Sequence, residues 1–216
     1  MPLIDLEPPR SDAPLPADVR AFLREAARRI RIFQRDAHVP SFVPSDFGRV
    51  YGVLRELAAN NLGPGRLFCE WGSGFGVIAC LAAMLDFDAF GIEVEGELVD
   101  AARRLAEDFG LPVEFAHGSF VPHGTPTDGE YVWLTLDAAD AHEELGLGAE
   151  DFGVIFVYPW PDEEGLTQHI FEKHAAPGAV LVTYHGGEDF TLRRKLRHST
   201  AGRKRARAPR RSALGR

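Results

Sequence analysis

Short apolar stretches alternate with helical segments along most of this chain, and this alternation limits the possible folds more than any other feature. Buried strands are predicted at residues 67–70, 89–94, 113–117, 153–158 and 179–184, with helices at 77–85, 97–109 and 163–175. Strands that are separated by helices are typical of a parallel sheet covered on both faces. We therefore predict an α/β fold.

The segments that flank this core have other patterns. Residues 1–16 are rich in proline and predict an extended or mobile leader. Apolar residues at three- and four-residue spacing predict a helix over 17–36, and Ser45 is the expected cap of a second helix. The acidic stretch 119–151 is ambiguous and predicts one strand at 131–136 and one short helix. We expect a helical N-terminal extension (1–60), a catalytic domain (61–192) and a flexible basic tail (193–216).

The charge of the 216-residue chain is unevenly distributed. Residues 1–192 carry 13 basic and 32 acidic side chains, a net charge of −19, whereas the segment from Arg193 onward has 11 basic and no acidic residues. The basic tail is a candidate for binding nucleic acid or an acidic partner. The alternative is a tail without function that folds back on the acidic body.

Other features limit location and metal binding. The longest apolar run, residues 77–85, has nine residues and is too short to cross a bilayer. No secretory signal is recognisable, and Cys69 and Cys80 do not make a disulfide framework, so a reduced, cytoplasmic protein is expected. No metal site is predicted, because the cysteines do not form a Cys-x-x-Cys pair.

The most informative motif is a glycine-rich turn between the first predicted core strand and its helix. Its sequence is Glu70-Trp71-Gly72-Ser73-Gly74-Phe75-Gly76. Glycines here permit a tight turn and close approach of a ligand to the backbone, and the helix N-terminus offers free amides. The spacing differs from the Gly-x-Gly-x-x-Gly of dinucleotide-binding proteins, and a phosphate-binding loop would need a lysine that is missing here.

The turn resembles motif I of the class I S-adenosylmethionine-dependent methyltransferases, in which an acidic residue precedes Gly-x-Gly-x-Gly. The resemblance covers about residues 41–185 and implies a Rossmann-like fold and S-adenosylmethionine as cofactor. It places Glu70 near the amino acid part of the cofactor and forms the cofactor-binding loop from Gly72, Ser73, Gly74 and Gly76.

Three further positions support the resemblance. Glu93 ends the second core strand, where an acidic residue of this family binds both ribose hydroxyls, and Glu95 is the competing candidate. Ser119 and Phe120 follow the third core strand, where the family contacts adenine; Phe120 is equally consistent with a core residue. Residues 42–45 resemble a segment that lies over the cofactor in some protein-lysine methyltransferases.

The chemistry is expected after the fourth core strand, at Tyr158, Pro159 and Trp160, because ligands of open α/β sheets bind beyond the carboxyl ends of the strands. This stretch resembles the Asp/Asn-Pro-Pro-aromatic motif of amino methyltransferases and the Asp-Pro-Trp-Pro motif of tRNA guanine methyltransferases, but matches neither. His185 is a second candidate, as a base.

We therefore expect an S-adenosylmethionine-dependent methyltransferase with an unidentified acceptor, with nitrogen, such as that of a protein lysine, preferred. The alternatives are a catalytically inactive cofactor-binding regulatory protein, a nucleic-acid methyltransferase that uses the basic tail, and a nucleotide-dependent oxidoreductase. Members of the family usually close the sheet with two more strands. Residues after Tyr184 lack a strand pattern, which leaves the presence of those strands open.

Overall fold

The computed structural model describes residues 2–9, 13–36, 42–122, 125 and 138–196. The strands are β1 (Leu3–Leu6), β2 (Leu67–Trp71), β3 (Asp88–Glu93), β4 (Val113–His117), β5 (Val154–Val157), β6 (Val180–Gly186) and β7 (Asp189–Lys195). The helices are α1 (Ala17–Asp36), α2 (Phe47–Ala59), α3 (Val77–Ala83), α4 (Gly96–Asp108), α5 (Ala141–Leu145) and α6 (Glu164–His174), and a 3₁₀ turn (Pro161–Glu163) precedes α6.

All seven strands form one sheet in the order β1-β7-β6-β5-β2-β3-β4. The neighbours from β6 to β4 pair in parallel, whereas β7 is antiparallel to both β6 and β1. Strand β1 therefore runs in the same direction as the five core strands. The order changes direction between β2 and β5, which is where an open α/β sheet forms its ligand crevice.

Helices cover both faces of the sheet. One core contains residues of α1, α2, α3 and α4, and the other contains residues of α5 and α6. Strand β5 shows the reason for the apolar strand pattern: Val154 and Phe156 pack into the first core, while Ile155 and Val157 pack into the second. The predicted parallel α/β fold is confirmed.

The sequence leaves open whether a strand follows Tyr184, and the structure contains one. Residues Asp189–Lys195 form β7, which forms a hairpin with β6 and also pairs with β1. Its sequence contains three consecutive basic residues and few apolar ones, so no strand pattern is recognisable. Backbone hydrogen bonds to strands on both sides stabilise it instead. The segment predicted as a leader thus contributes an outer strand, and the basic segment begins inside the sheet.

Two smaller differences concern the flanking segments. Asp46, not Ser45, caps α2, and its side chain accepts a hydrogen bond from the backbone N–H of Arg49. The predicted short helix of the acidic stretch is α5, whereas the strand predicted at 131–136 and the tail residues 197–216 lie outside the described residues. The division into three parts stays a prediction.

Candidate cofactor and acceptor site

A cavity of about 510 Å³ opens at the carboxyl ends of the core strands. Its walls come from the loops after β2, β3, β4 and β5, together with the segment before α2. Of the residues predicted to bind the cofactor or act in catalysis, the structure brings ten to this cavity: Glu70, Gly72, Ser73, Gly74, Glu93, Ser119, Phe120, Tyr158, Pro159 and Trp160. His185 and the predicted covering residues 42–45 also line it.

Gly76 is the one predicted cofactor-binding residue that does not line the cavity. It caps the N-terminus of α3 with a φ of +70°, and a Cβ atom added there would be 2.5 Å from the Phe115 ring of β4 and 2.7 Å from Ala102 of α4. Gly72 has a similar φ of +71°, but a Cβ atom there would meet no atom within 4 Å. Gly76 therefore serves close packing of α3, while Gly72 leaves open space beside the cavity.

Glu93 holds the glycine-rich loop against the end of β3. One carboxylate oxygen accepts a hydrogen bond from the Gly74 N–H at 2.7 Å, and the other accepts one from the Glu95 N–H at 3.0 Å. Glu93 is only 8% exposed, whereas Glu95 is exposed to solvent. Burial raises the pKa of Glu93, and the hydrogen bonds from backbone amides oppose this effect. Of the two candidates, only Glu93 faces the cavity.

Glu70 connects β2 to the start of α3. Its carboxylate accepts a hydrogen bond from the Ala79 N–H at 2.9 Å, which satisfies one of the free amides of the first helical turn. Glu70 is 4% exposed, and burial raises its pKa well above the usual value, with Glu93 nearby acting in the same direction.

The raised pKa of Glu70 predicts a pH dependence of stability. The folded protein binds the proton of Glu70 more tightly than the unfolded chain, so stability falls as pH rises from the ordinary pKa of 4.5 towards the raised pKa. Glu70→Gln keeps an acceptor for Ala79 but cannot ionise, and we expect it to reduce this fall by up to about 1.4 kcal/mol per pH unit. Urea unfolding at several pH values checks this, with Glu95→Gln as the exposed control. Parallel pH profiles of wild type and Glu70→Gln would contradict it.

The residues that follow β2 and β4 bring aromatic rings and polar groups without hydrogen-bond partners to the cavity. The rings of Trp71 and Phe120 stack with centroids 4.9 Å apart and an interplanar angle of 5°. Phe120 therefore presents one face to Trp71, a contact that the sequence did not predict. The Trp71 Nε1 and Ser73 Oγ atoms are buried at the cavity without a hydrogen-bond partner among the described residues. Ser119 Oγ accepts a hydrogen bond from the Val121 N–H at 3.1 Å.

The part of the cavity wall that follows β5 carries acidic groups that the sequence analysis did not single out. Glu163 and Glu164 line the cavity beside Trp160, and Glu163 is 4% exposed. His185 lies 3.7 Å from the Glu164 carboxylate through Nδ1 and contacts the Thr191 hydroxyl through Nε2 at 2.9 Å. Neither lysine nor arginine occurs among the described residues that line the cavity, so its acidic and basic side chains are four glutamates and one histidine.

The described residues contain neither a metal-ligand cluster nor a helix suited to span a membrane. No group of three or more histidine, cysteine or acidic side chains is arranged to hold a metal ion in those parts of the chain. None of the described helices is both long and apolar enough to span a membrane.

The structure is similar to solved structures of methyltransferases. An RNA methyltransferase from Salinibacter ruber in complex with S-adenosyl-L-homocysteine is 23% identical, and the match covers 71% of this chain and 92% of that chain with a TM-score of 0.50. A methyltransferase from Geobacter sulfurreducens is 18% identical, covers 86% and 93%, and has a TM-score of 0.55. An O-methyltransferase from Bacillus cereus in complex with SAH is 18% identical, covers 80% and 67%, and has a TM-score of 0.52.

Comparison of the sequence with protein-family models and with curated proteins gives no match. At 18–23% identity, the likeness to the solved structures concerns the fold. This chain has a Rossmann-like fold similar to that of these methyltransferases, and the predicted fold is confirmed.

Proposed function

We propose that this protein is an S-adenosylmethionine-dependent methyltransferase. The observation that carries the proposal is the position of Glu93 at the end of β3, where its buried carboxylate faces the cavity next to the glycine-rich loop. A carboxylate at this place accepts hydrogen bonds from two neighbouring hydroxyl groups, as a ribose presents them. The S-adenosyl-L-homocysteine bound to the Salinibacter protein supports the same cofactor class for this fold.

The residues of the cavity fit this cofactor. The open space in front of Gly72 allows a ligand to approach the backbone of the loop. The partnerless Trp71 Nε1 and Ser73 Oγ atoms are buried polar groups that a polar ligand would satisfy. A cationic ligand would favour the ionised forms of the buried Glu70 and Glu93 carboxyl groups, and S-adenosylmethionine carries its electrophilic methyl group on a positively charged sulfur. Phe120, Ser119 and Trp71 would border the base of the cofactor.

The acceptor in this proposal is a nitrogen atom, with the amine of a protein lysine as the preferred example. The wall at Tyr158, Pro159 and Trp160 is where we place the acceptor. Glu163 and Glu164 lie beside this wall and attract a positively charged group. An amine must lose a proton before its lone pair can attack, and we assign this proton to His185, which lines the cavity next to Glu164. The acidic side chains beside this wall favour an amine acceptor over a phosphate-bearing one.

The proposal is tested in two stages. Calorimetric titration with S-adenosylmethionine should give micromolar binding, and titration with NAD(P)H should give none. Tritium-labelled S-adenosylmethionine is then incubated with a lysine-rich peptide and with the same peptide carrying arginine instead of lysine. Label transfer to the lysine peptide alone supports the nitrogen acceptor. Cofactor binding without transfer to any acceptor would favour the alternative of a catalytically inactive cofactor-binding protein. No cofactor binding would exclude both this alternative and the methyltransferase.

A further inference from the structure

One exposed face of α1 carries five arginines and no acidic residue. At 100° per residue, an arc of about 80° contains all five, and their spacing corresponds to about one helical turn. This arginine face consists of Arg20, Arg24, Arg28, Arg31 and Arg35. All five are exposed to solvent. The acidic residues of α1 lie on a neighbouring arc.

The concentration of charge on α1 contrasts with the rest of the chain before the tail. Six of the 13 basic side chains of residues 1–192 are on this one helix, although those residues carry a net charge of −19. On α4, Arg104 lines a groove together with Arg28 and extends the basic surface.

Four of the five guanidinium groups of this face are available to a ligand, while that of Arg20 donates a hydrogen bond to the Leu15 carbonyl oxygen. Arg24 and Arg31 have no hydrogen bond or ion pair to another described residue. Arg28 pairs with Glu25 at 2.7 Å and Arg35 pairs with Asp36 at 2.7 Å, but both arginine side chains are more than half exposed. Exposed pairs of this kind contribute at most about 1 kcal/mol and are easily exchanged for a stronger anionic partner.

The geometry points to the phosphate backbone of a nucleic acid as the ligand of this arginine face. The row is about 22 Å long, since 15 residues separate Arg20 from Arg35 at 1.5 Å each. A nucleic acid strand presents about six phosphates over that length. Arginine, which is the only basic residue in the row, forms bidentate hydrogen bonds with phosphate.

A membrane surface fits this helix less well than a nucleic acid. A helix that binds an anionic membrane buries its apolar face among the lipids. The apolar face of α1 is already buried in the core through Val19, Phe22, Ala26 and Ile30. The charged face remains for a partner with only Ile32 exposed beside it, which favours a ligand that is recognised mainly by charge.

The arginine face also has a defined position relative to the cavity. Phe33, on the inner side of α1, packs against Phe42 and Phe75 with ring centroids 6.4 Å and 5.7 Å away. Phe42 and Phe75 both line the cavity. A strand bound along α1 would therefore reach the outside of the cavity wall at the C-terminal end of the helix.

The test is fluorescence anisotropy with the full chain. The probes are a labelled single-stranded RNA of about 20 nucleotides and a DNA of the same sequence, titrated from about 0.05 to 0.2 M salt. Arg24→Gln/Arg31→Gln should bind about tenfold more weakly and lower the slope of log affinity against log salt by about 1.4, since each single-strand phosphate contact contributes about 0.7. The RNA and DNA arms show which nucleic acid is preferred.

The control is Arg49→Gln/Arg103→Gln, which removes the same charge from α2 and α4, where both arginines are paired with glutamates. It should bind like wild type, and thermal unfolding checks that both variants fold. An equal loss in the control, or no loss in Arg24→Gln/Arg31→Gln, would overturn the assignment. Equal competition by polyglutamate of the same charge would also overturn it, because an acidic protein would then be the better partner. The outcome is independent of cofactor binding, which is measured separately.

Discussion

Glu93→Ala should weaken the binding of S-adenosylmethionine about a hundredfold. The variant removes a carboxylate that is expected to accept two hydrogen bonds from the ribose, each worth about 1.5–3 kcal/mol, so a loss of about 3 kcal/mol is a conservative sum. It also removes the acceptor that holds the Gly74 N–H at 2.7 Å. Isothermal titration calorimetry on purified protein measures the change in dissociation constant.

Glu95→Ala is the matched control for this experiment. It removes the same charge two residues further along the chain, from an exposed side chain that does not line the cavity. We expect its affinity to stay within about twofold of wild type, because exposed charges interact weakly with a ligand through water. An equal loss in both variants would mean that net charge, not the hydrogen bonds of Glu93, governs binding. Unchanged affinity in Glu93→Ala would contradict the ribose assignment.

Gly76→Ala should destabilise the protein by about 3 kcal/mol. The left-handed backbone costs an alanine about 1–2 kcal/mol, and overpacking adds about 1–3 kcal/mol. The overpacking arises because the new Cβ atom would lie 2.5 Å from the Phe115 ring and 2.7 Å from Ala102, both of which are buried. Urea unfolding gives the free energy, and thermal unfolding should show a decrease in Tm of about 10 °C.

Gly72→Ala separates the cost of the left-handed backbone from the cost of overpacking. Its φ is nearly the same, but the added methyl group meets no atom, so only the backbone cost of about 1–2 kcal/mol is expected. The methyl group would instead occupy space beside the cavity and weaken cofactor binding. Equal destabilisation by the two substitutions would show that α3 shifts to accommodate the methyl group at Gly76, and would contradict the packing argument.

Local patterns predicted much of the core and of the candidate site. The helix over 17–36 and the strand over 113–117 were predicted at their observed bounds, because burial of one helix face or of a whole strand leaves a clear apolar pattern. Glu93 and the glycine-rich turn were identifiable because they adjoin such strands. Glu163 and Glu164, which line the same cavity, follow no recognisable motif, and the proximity of Glu164 to His185 depends on how the chain folds.

Recognition of the arginine face of α1 needs both the sequence and the tertiary structure. The positions of the five arginines are present in the sequence, but their one-sided exposure becomes meaningful only when the opposite face is seen to be buried. In the same way, the stacking of Trp71 on Phe120 joins residues 49 positions apart, and no local periodicity records such a contact.

The alternation of strands and helices, the glycine-rich turn and the acidic residue at the end of β3 follow from the amino-acid sequence alone. These features depend on the periodicity of burial and on backbone conformations that are local to a few residues. The pairing of residues 3–6 with β7 depends on the three-dimensional fold, because Leu3 lies opposite Lys195, far away along the chain. An outer strand is stabilised mainly by backbone hydrogen bonds to its neighbour, and such bonds leave little trace in the order of the side chains.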